Sequence, residues 1–275
     1  MSSLEDIARQ AECEGELERA FEAWRQLASE SKDPAHYCHL GFAANNLGKW
    51  KQAEEAFLSA LQLEPRLAEA MTGLGVVYLE RTDGDRVRNF EEAKAYLLRA
   101  SEIERTAHGM SLLGITHRVL HEDDAARSAF TEALRIDPNY EEAYFNLSQF
   151  EMENDPIKAI NLLGRALEID PDYSRAHEKM GELLQRRKDL IGAERHFRRC
   201  IEIDALDYWA HLHLANNLYA QGRHSEAERE YRLAINVHPE EKAGIQLFAS
   251  FLSNLSRHEE AAELRSRVAA ADDEH

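Results

Sequence analysis

The chain is 275 residues long and carries 51 Asp and Glu against 33 Lys and Arg, which gives a formal net charge of −18. This charge repels nucleic acid and anionic lipid at long range, so neither is an expected partner. Six Pro and 13 Gly are too few for a loop-rich β fold, and the abundant Ala, Leu, Glu and Arg favour helices. We therefore expect an all-α protein.

The N-terminus has no basic start followed by an apolar run, and no stretch approaches the roughly 18 apolar residues that span a bilayer. The cysteines Cys13, Cys38 and Cys200 are odd in number and far apart, which fits reduced surroundings without disulfides. These features predict a cytoplasmic protein that does not bind membranes.

Small and apolar residues recur along the chain with a period near 34, and eight consecutive registers fit this period. The registers are 1–33, 34–67, 68–106, 107–140, 141–173, 174–207, 208–241 and 242–275. Nothing in the composition marks a boundary between them. The sequence therefore favours a single repeat domain over residues 1–275.

Every register has an alanine near its middle, and a second small residue precedes most of these alanines by twelve positions. A mid-helix Gly costs about 1 kcal/mol relative to Ala, so its recurrence indicates two helices that cross closely. The alanines are Ala20, Ala53, Ala93, Ala126, Ala159, Ala193, Ala227 and Ala261. The upstream small residues are Ala8, Gly41, Gly75, Gly114, Ser148, Gly181, Ala215 and Ala249, with altered spacing at Gly75 and Ser148.

Large apolar residues flank these small ones at helical spacing and predict a hydrophobic seam within each pair of helices. A proline closes several registers, where it pushes the preceding residue out of the helical conformation. Examples are Pro65, Pro138, Pro171 and Pro239, while Asp155 and Pro156 are expected to cap a helix inside a register. One hairpin cannot bury its apolar face alone, so neighbouring hairpins must stack.

This pattern resembles the tetratricopeptide-repeat (TPR) family across essentially the whole chain. The resemblance implies an α-solenoid of about eight helix-turn-helix repeats that wind into a right-handed superhelix. It also implies that the first helix of each repeat lines a concave groove that binds peptides or protein segments. The resemblance specifies no particular ligand.

The predicted groove consists of the first-helix positions that belong to neither the seam nor the back face. Asn and Gln suit such a surface because their amides both donate to and accept from a peptide backbone, and aromatic residues supply apolar anchors. Asn146 and Asn216 also match groove asparagines of related repeat proteins. The alternative is that each residue is ordinary helix surface. The candidates are His39, Phe42, Asn45, Asn46, Phe145, Asn146, Gln149, Arg175, Lys179, Glu182, Arg186, Trp209, His213, Asn216 and Tyr219.

The sequence contains no Gly-rich phosphate loop, nucleophile elbow or kinase-type string, so we expect no enzyme and no cofactor. His117 and His121 are four residues apart, but the glutamate of a zinc-binding HExxH motif is missing and no third ligand is indicated. His177 and His211 occupy the repeat position of Tyr37, which favours packing. No metal site is expected.

The third register is longer than its neighbours, and the excess falls at residues 81–89, between its two predicted helices. A surface insertion there costs little, because doubling a loop adds only about 0.6 kcal/mol. The alternative is a contact loop, in which the rare basic cluster of Arg81, Arg86 and Arg88 would meet an acidic partner.

The two terminal registers depart from the pattern. Leu4 and Ile7 would face solvent in the first register, and Arg265 stands where the other repeats have a large apolar residue. These features keep open a homodimer that forms through the terminal repeats.

The leading hypothesis from the sequence is a non-catalytic scaffold or adaptor that binds a peptide or partner segment in the concave groove. Basic residues of the sixth register, such as Arg175 and Lys179, would contact acidic ligand groups. Two alternatives remain: a self-assembling structural protein, and the regulatory TPR region of a larger enzyme system. Fold alone does not choose between them.

Overall fold

The computed structural model describes the backbone of residues 3–272 and the side chains of residues 3–266, and all regular elements in this range are α-helices. The expected all-α helical-repeat solenoid is confirmed. The helices are α1 (Leu4–Cys13), α2 (Leu17–Glu30), α3 (Pro34–Asn46), α4 (Trp50–Leu63), α5 (Ala68–Glu80), α6 (Arg86–Ile103), α7 (Ala107–Val119), α8 (Asp123–Ile136), α9 (Glu141–Glu151), α10 (Pro156–Ile169), α11 (Ser174–Arg186), α12 (Leu190–Ile203), α13 (Tyr208–Ala220), α14 (His224–Val237), α15 (Lys242–Asn254) and α16 (His258–Asp272).

The chain divides into two compact units, unit 1 (Met1–Leu147) and unit 2 (Ser148–His275), with the boundary inside α9. In each unit a helix packs against the next helix in the chain, and the first helices of neighbouring hairpins also touch, as α3 touches α5 and α11 touches α13. This is the packing of stacked helical hairpins. A single domain over residues 1–275 stays a prediction.

The small residues of the first helices lie directly against a large residue of the second helix in the same hairpin. A Cβ atom on Gly41 would lie 2.6 Å from the ring of Phe57, and one on Gly181 would lie 2.5 Å from the ring of Phe197. The eight mid-register alanines are at most 1% exposed. The close helix crossing that the sequence predicts is therefore confirmed.

Each unit has its own hydrophobic core. Fully buried Trp24 and Phe57 belong to the core of unit 1, and the indole Nε1 of Trp24 donates to Glu12 at 2.8 Å. Tyr231 and Phe248 belong to a core of unit 2.

The predicted cap within the fifth register is present. The side chain of Asp155 accepts a hydrogen bond from the backbone N–H of Lys158 at 3.0 Å, and Pro156 is the first residue of α10. Pro at this position loses no intrahelical hydrogen bond.

The predicted insertion at residues 81–89 is only partly a loop. Asp85 caps α6, which begins at Arg86 and has 18 residues against 14 in α4 and α8. Residues 86–89 therefore form an additional helical turn, which corrects the sequence-based assignment. Arg81 does not join a free basic cluster, because its guanidinium pairs with Glu54 at 3.1 Å and with Asp83 at 2.8 Å.

The terminal hairpins are better packed than the sequence suggests. Leu264, the neighbour of Arg265, packs against the core of unit 2, while Arg265 is exposed and donates to Ser253 at 3.0 Å. Leu4 is partly buried against the core of unit 1. Association of two copies through these ends stays a prediction. Among the described residues, none of the helices combines the length and apolar character needed to cross a bilayer.

Candidate binding groove

Two neighbouring first helices of unit 2, α11 and α13, carry most of the predicted groove residues. Arg175, Lys179, Glu182 and Arg186 follow one another at three- and four-residue spacing, which places them along one side of α11. Trp209, His213, Asn216 and Tyr219 do the same on α13. The two sets meet, since His213 Nε2 lies 3.9 Å from the Glu182 carboxylate. The structure thus brings the predicted residues of the two helices into contact at His213 and Glu182.

Lys179 is neutralised by its neighbours on α11. Its ammonium lies 2.7 Å from the carboxylate of Glu182 and 3.3 Å from that of Glu178. Burial acts to lower the pKa of Lys179, but these hydrogen bonds and charges outweigh it and raise the pKa. A ligand carboxylate must therefore compete with two internal ones for this cation.

Glu178 is a member of this cluster that the sequence-based prediction missed. Ligand atoms of Glu178, Glu182 and His213 all lie within 4.8 Å of one another, a separation compatible with a bound metal ion. The ammonium of Lys179 already compensates the two carboxylates. We therefore describe these four residues as a compensated charge cluster. The available sequence signal was the four-residue spacing of the two glutamates, with a histidine one repeat later.

Trp209 provides an exposed apolar surface on a rigid base. Its side chain is 50% exposed and meets the ring of Tyr208 edge-on at 5.1 Å. The Tyr208 hydroxyl in turn accepts a hydrogen bond from the backbone N–H of Gly244 at 2.6 Å. His213 stacks on Phe197 with ring centroids 5.3 Å apart. Rigid aromatic side chains of this kind contribute strongly to binding because little conformational entropy is lost.

The side-chain oxygen of Asn216 accepts a hydrogen bond within the protein, whereas its amide N–H groups remain free to bind a ligand. Its side-chain oxygen accepts a hydrogen bond from the hydroxyl of Tyr231. Burial raises the pKa of Tyr231, so this hydroxyl stays protonated and donates. The amide N–H groups of Asn216 have no hydrogen-bond partner among the described residues. They can therefore donate to a peptide carbonyl. Tyr219, also partly exposed, packs edge-on against Phe251 at 5.3 Å.

The predicted groove residues of α3 in unit 1 divide into packing residues and exposed residues. His39 stacks on Trp24 at 4.2 Å, and Phe42 meets Phe57 edge-on at 5.0 Å. Asn45 is buried and donates to the Glu80 carboxylate at 2.7 Å, which links α3 to α5. Asn46 is exposed.

The predicted residues of α9 are mostly covered. Phe145 and Asn146 are 3% and 1% exposed, and the Asn146 amide donates to the backbone oxygen of Glu142 at 2.9 Å. Gln149 is partly buried and donates to the Ser148 hydroxyl at 3.2 Å. Ligand contact by Phe145 and Asn146 is at odds with their burial and stays a prediction.

A cavity of about 670 Å³ lies away from the groove residues, between α6, α7 and α8. Leu98, Met110, Leu113 and Ala129 are among its lining residues. A smaller cavity lies between α2, α3 and α4 in the same repeat position. Because the position recurs between successive second helices, we interpret both cavities as gaps of the repeat packing.

His177 and His211 are buried packing residues with different partners. The two ring nitrogens of His211 lie 2.8 Å from the Glu230 carboxylate and 3.2 Å from the Ala205 carbonyl. Both partners are acceptors, which favours the protonated imidazolium, and the hydrogen bond to Glu230 raises the pKa of His211.

His177 occupies the same place one repeat earlier. It lies 2.9 Å from the Pro171 carbonyl and 2.8 Å from Nδ1 of His196. Burial lowers the pKa of His196 to about 4, and the charges of His177 and Arg195 act in the same direction.

Comparison with known proteins places the repeat in a family. Residues 41–100 match the family model described as Tetratricopeptide repeat. Human Protein O-mannosyl-transferase TMTC3 is 24% identical over 227 residues, which cover 70% of this chain and 25% of that protein. Human Tetratricopeptide repeat protein 6 is 25% identical over 134 residues, which cover 48% of this chain and 25% of that protein. The chain thus spans about a quarter of the length of these relatives.

Solved structures share the fold at low sequence identity. The APC/C hetero-tetramer Cut9–Hcn1 matches with a TM-score of 0.73 and 15% identity, over 90% of this chain and 48% of that chain. PilF of Pseudomonas aeruginosa matches with a TM-score of 0.68 and 16% identity, over 80% of this chain and 97% of that chain. The internal repeat, the family match over residues 41–100 and the shared architecture together support the resemblance of this chain to the tetratricopeptide-repeat family.

Proposed function

We propose that the chain is a non-catalytic interaction scaffold that binds an extended segment of a partner protein along α11 and α13. The observation that carries this proposal is the combination of half-exposed Trp209 with the free amide donors of Asn216 on one side of α13. An aromatic anchor and a backbone-directed donor suit a peptide better than a small substrate.

The ion pairs on α11 limit the kinds of ligand group that we expect to contribute to binding. Lys179 is paired with Glu178 and Glu182, and Arg186 is paired with Glu153 at 2.6 Å. Acidic ligand groups would have to replace these ion pairs. We therefore expect apolar side chains and backbone hydrogen bonds to contribute more to affinity than acidic groups.

The proposal is tested with a displayed library of random peptides selected on the full chain. We expect enriched peptides to bind the Trp209→Ala, Asn216→Ala double variant at least about tenfold more weakly than wild type, which corresponds to about 1.4 kcal/mol. Leu206→Ala is the matched control, because Leu206 is 69% exposed in the segment before α13. Equal affinities for wild type and the double variant would refute the groove assignment.

A second candidate function comes from the likeness to human Protein O-mannosyl-transferase TMTC3, of which the aligned region covers 25%. In this case the chain would be the TPR region of a larger enzyme system and would bind a substrate protein or regulate the catalytic part. An assay of mannose transfer to protein hydroxyls by the purified chain tests the assumption, common to both candidates, that this chain is itself not catalytic. Turnover by the chain alone would overturn the non-catalytic proposal.

A further inference from the structure

Most of the described cations of unit 2 are paired with acidic groups, and those without a partner are close together in the sequence. Among the Lys and Arg side chains described in residues 148–266, only Arg187, Lys188 and Arg195 have neither an ion pair nor a hydrogen bond. All three are exposed. They lie within nine residues of one another, at the end of α11 and on the first turns of α12.

Ile191 lies in the middle of these cations and is 60% exposed. It precedes Arg195 by four residues on α12, so the two side chains are neighbours on the helix surface. Ile157, which is 58% exposed, stands two residues before Ala159, just as Ile191 stands two residues before Ala193. The repeat therefore gives consecutive hairpins an exposed isoleucine at the same position.

This pair of isoleucines is a local feature and does not belong to the repeat pattern. The other six registers have polar or charged residues at the same position, namely Glu18, Lys51, Glu91, Asp124, Ser225 and Glu259. Solvent-exposed isoleucine contributes nothing to the helix that a polar residue would not. Two such residues in succession indicate a surface that another molecule covers.

The local charge is opposite to that of the whole chain. Residues 174–199 contain eight Lys and Arg against four Asp and Glu, although the chain has a net charge of −18. The nearby acids are already bound: Asp189 accepts from the backbone N–H of Gly192 at 2.9 Å, and Glu194 pairs with Arg198 at 2.8 Å and Arg223 at 2.7 Å. Asp189 keeps its negative charge, but it faces three unpaired cations, so a partner at this surface meets a net positive charge.

We propose that Ile157, Arg187, Lys188, Ile191 and Arg195 form a docking surface, the edge patch, for an acidic protein segment with exposed apolar side chains. Carboxylates of the segment pair with the three free cations while its apolar side chains cover the isoleucines. A long polyanion fits less well, because the net charge of −18 repels an extended nucleic acid or an anionic membrane. A short acidic segment experiences mainly the local field.

The test uses a displayed library of random 16-residue peptides selected on the full chain. The patch variant carries Ile191→Ser and Arg195→Glu, both at exposed positions, so circular dichroism and the melting temperature should match wild type. We expect a class of enriched peptides that are acidic and contain Leu, Ile or Phe. These peptides should bind the patch variant at least about tenfold more weakly, and raising the salt concentration should weaken their binding to wild type.

Two further variants make the result specific. Lys51→Glu with Leu58→Ser makes the same kinds of change at exposed positions of unit 1, where Lys51 has no ion pair, and should leave binding unchanged. The Trp209→Ala, Asn216→Ala variant should also retain these peptides. The edge patch could therefore be confirmed even if the assignment of the groove on α11 and α13 were refuted.

Five results would overturn the edge patch. Enriched peptides could be insensitive to the patch variant, or the sensitive peptides could be neutral or basic. Wild type could sediment with vesicles of anionic phospholipid, or bind single-stranded RNA, in a manner that the patch variant abolishes. Light scattering could instead show a dimer that the patch variant dissociates, in which case the occupant is a second copy of the chain.

Discussion

The sixth hairpin (α11–α12) and the seventh (α13–α14) form a buried histidine contact at the same position of the repeat, but the partners of the two histidines differ in charge. In each, a first-helix histidine bonds to a carbonyl of the preceding turn and to a side chain nineteen residues later. That side chain is His196 in the sixth hairpin and Glu230 in the seventh. The repeat therefore determines where a buried contact forms, while single residues determine its charge and its response to pH.

The outer surfaces of the two hairpins differ in the same way. The sixth has free cations around exposed Ile191, whereas the seventh has Ser225 at the equivalent position and an Arg223 that pairs with Glu226 and Glu194. Solvated positions can differ because they do not take part in stacking. Binding specificity can thus change from repeat to repeat while the fold stays the same.

The largest expected effect concerns the tight contact between the two helices of the sixth hairpin. Phe197→Ala should lower the free energy of unfolding by about 4 kcal/mol, because it removes a fully buried ring. Gly181→Ala alone should cost about 1–3 kcal/mol, because its Cβ would lie 2.5 Å from that ring. In the Phe197→Ala background the same change should stabilise by about 1 kcal/mol, through helix propensity and a smaller cavity.

Urea unfolding of the full chain, followed by circular dichroism, measures this cycle. The seventh hairpin supplies the control, since Ala215→Gly there should cost about 1 kcal/mol. If Gly181→Ala were equally harmful with and without Phe197, the ring would not be the reason for glycine at this position.

An intermediate effect is expected from exchanging the buried partner of His177. His196→Glu gives the sixth hairpin the histidine–carboxylate pair of the seventh. In wild type the pKa of His196 is lowered to about 4, so the unfolded chain binds more protons and stability falls as the pH decreases from about 6.5 towards 4. Asp189 opposes this shift, but burial and the neighbouring charges of His177 and Arg195 outweigh it.

The contribution of this contact to stability should have the opposite pH dependence in His196→Glu, because a carboxylate favours a protonated His177. We expect it to exceed wild type in unfolding free energy by about 1–2 kcal/mol near pH 5, with a smaller difference at pH 8. Conversely, the raised pKa of His211 means that the contribution of the His211–Glu230 pair is present below pH 6.5 and is lost as the pH rises through the folded-state pKa. Parallel pH profiles for wild type and His196→Glu would contradict this account.

The smallest effect concerns the turns between the paired helices. Lys188 has φ +66° and its counterpart Gly222 has φ +78°, so both occupy the left-handed region. Lys188→Gly should stabilise the chain by about 1 kcal/mol because glycine adopts this conformation without strain. Gly222→Ala should destabilise it by a similar amount. Thermal melting of both variants tests the pair, and a stabilising Gly222→Ala would show that the turn can relax.

Candidate site residues were predicted less well from the sequence than the helices were. The predicted residues of α11 and α13 are exposed or partly buried and meet at His213 and Glu182, but Asn45, Phe145 and Asn146 are buried. First-helix positions were chosen by their spacing, and spacing indicates a direction around a helix without indicating how deeply a neighbouring hairpin covers it. The extra turn at residues 86–89 was missed because Val87 and Asn89 are weak helix formers, although Arg86 and Arg88 favour helix.

The amino-acid sequence alone establishes the hairpins and their close crossing, because the small residue and the large residue that meet are local partners repeated in every register. The three-dimensional arrangement was needed to identify the compensation of Lys179 by Glu178 and Glu182, the pairing of His211 with Glu230, and the free cations around Ile191. These properties depend on distances of a few ångströms between charged groups and on the water excluded around them. A repeat pattern predicts the sizes of the side chains that pack together. It does not predict which charged groups pair, because that depends on individual side chains.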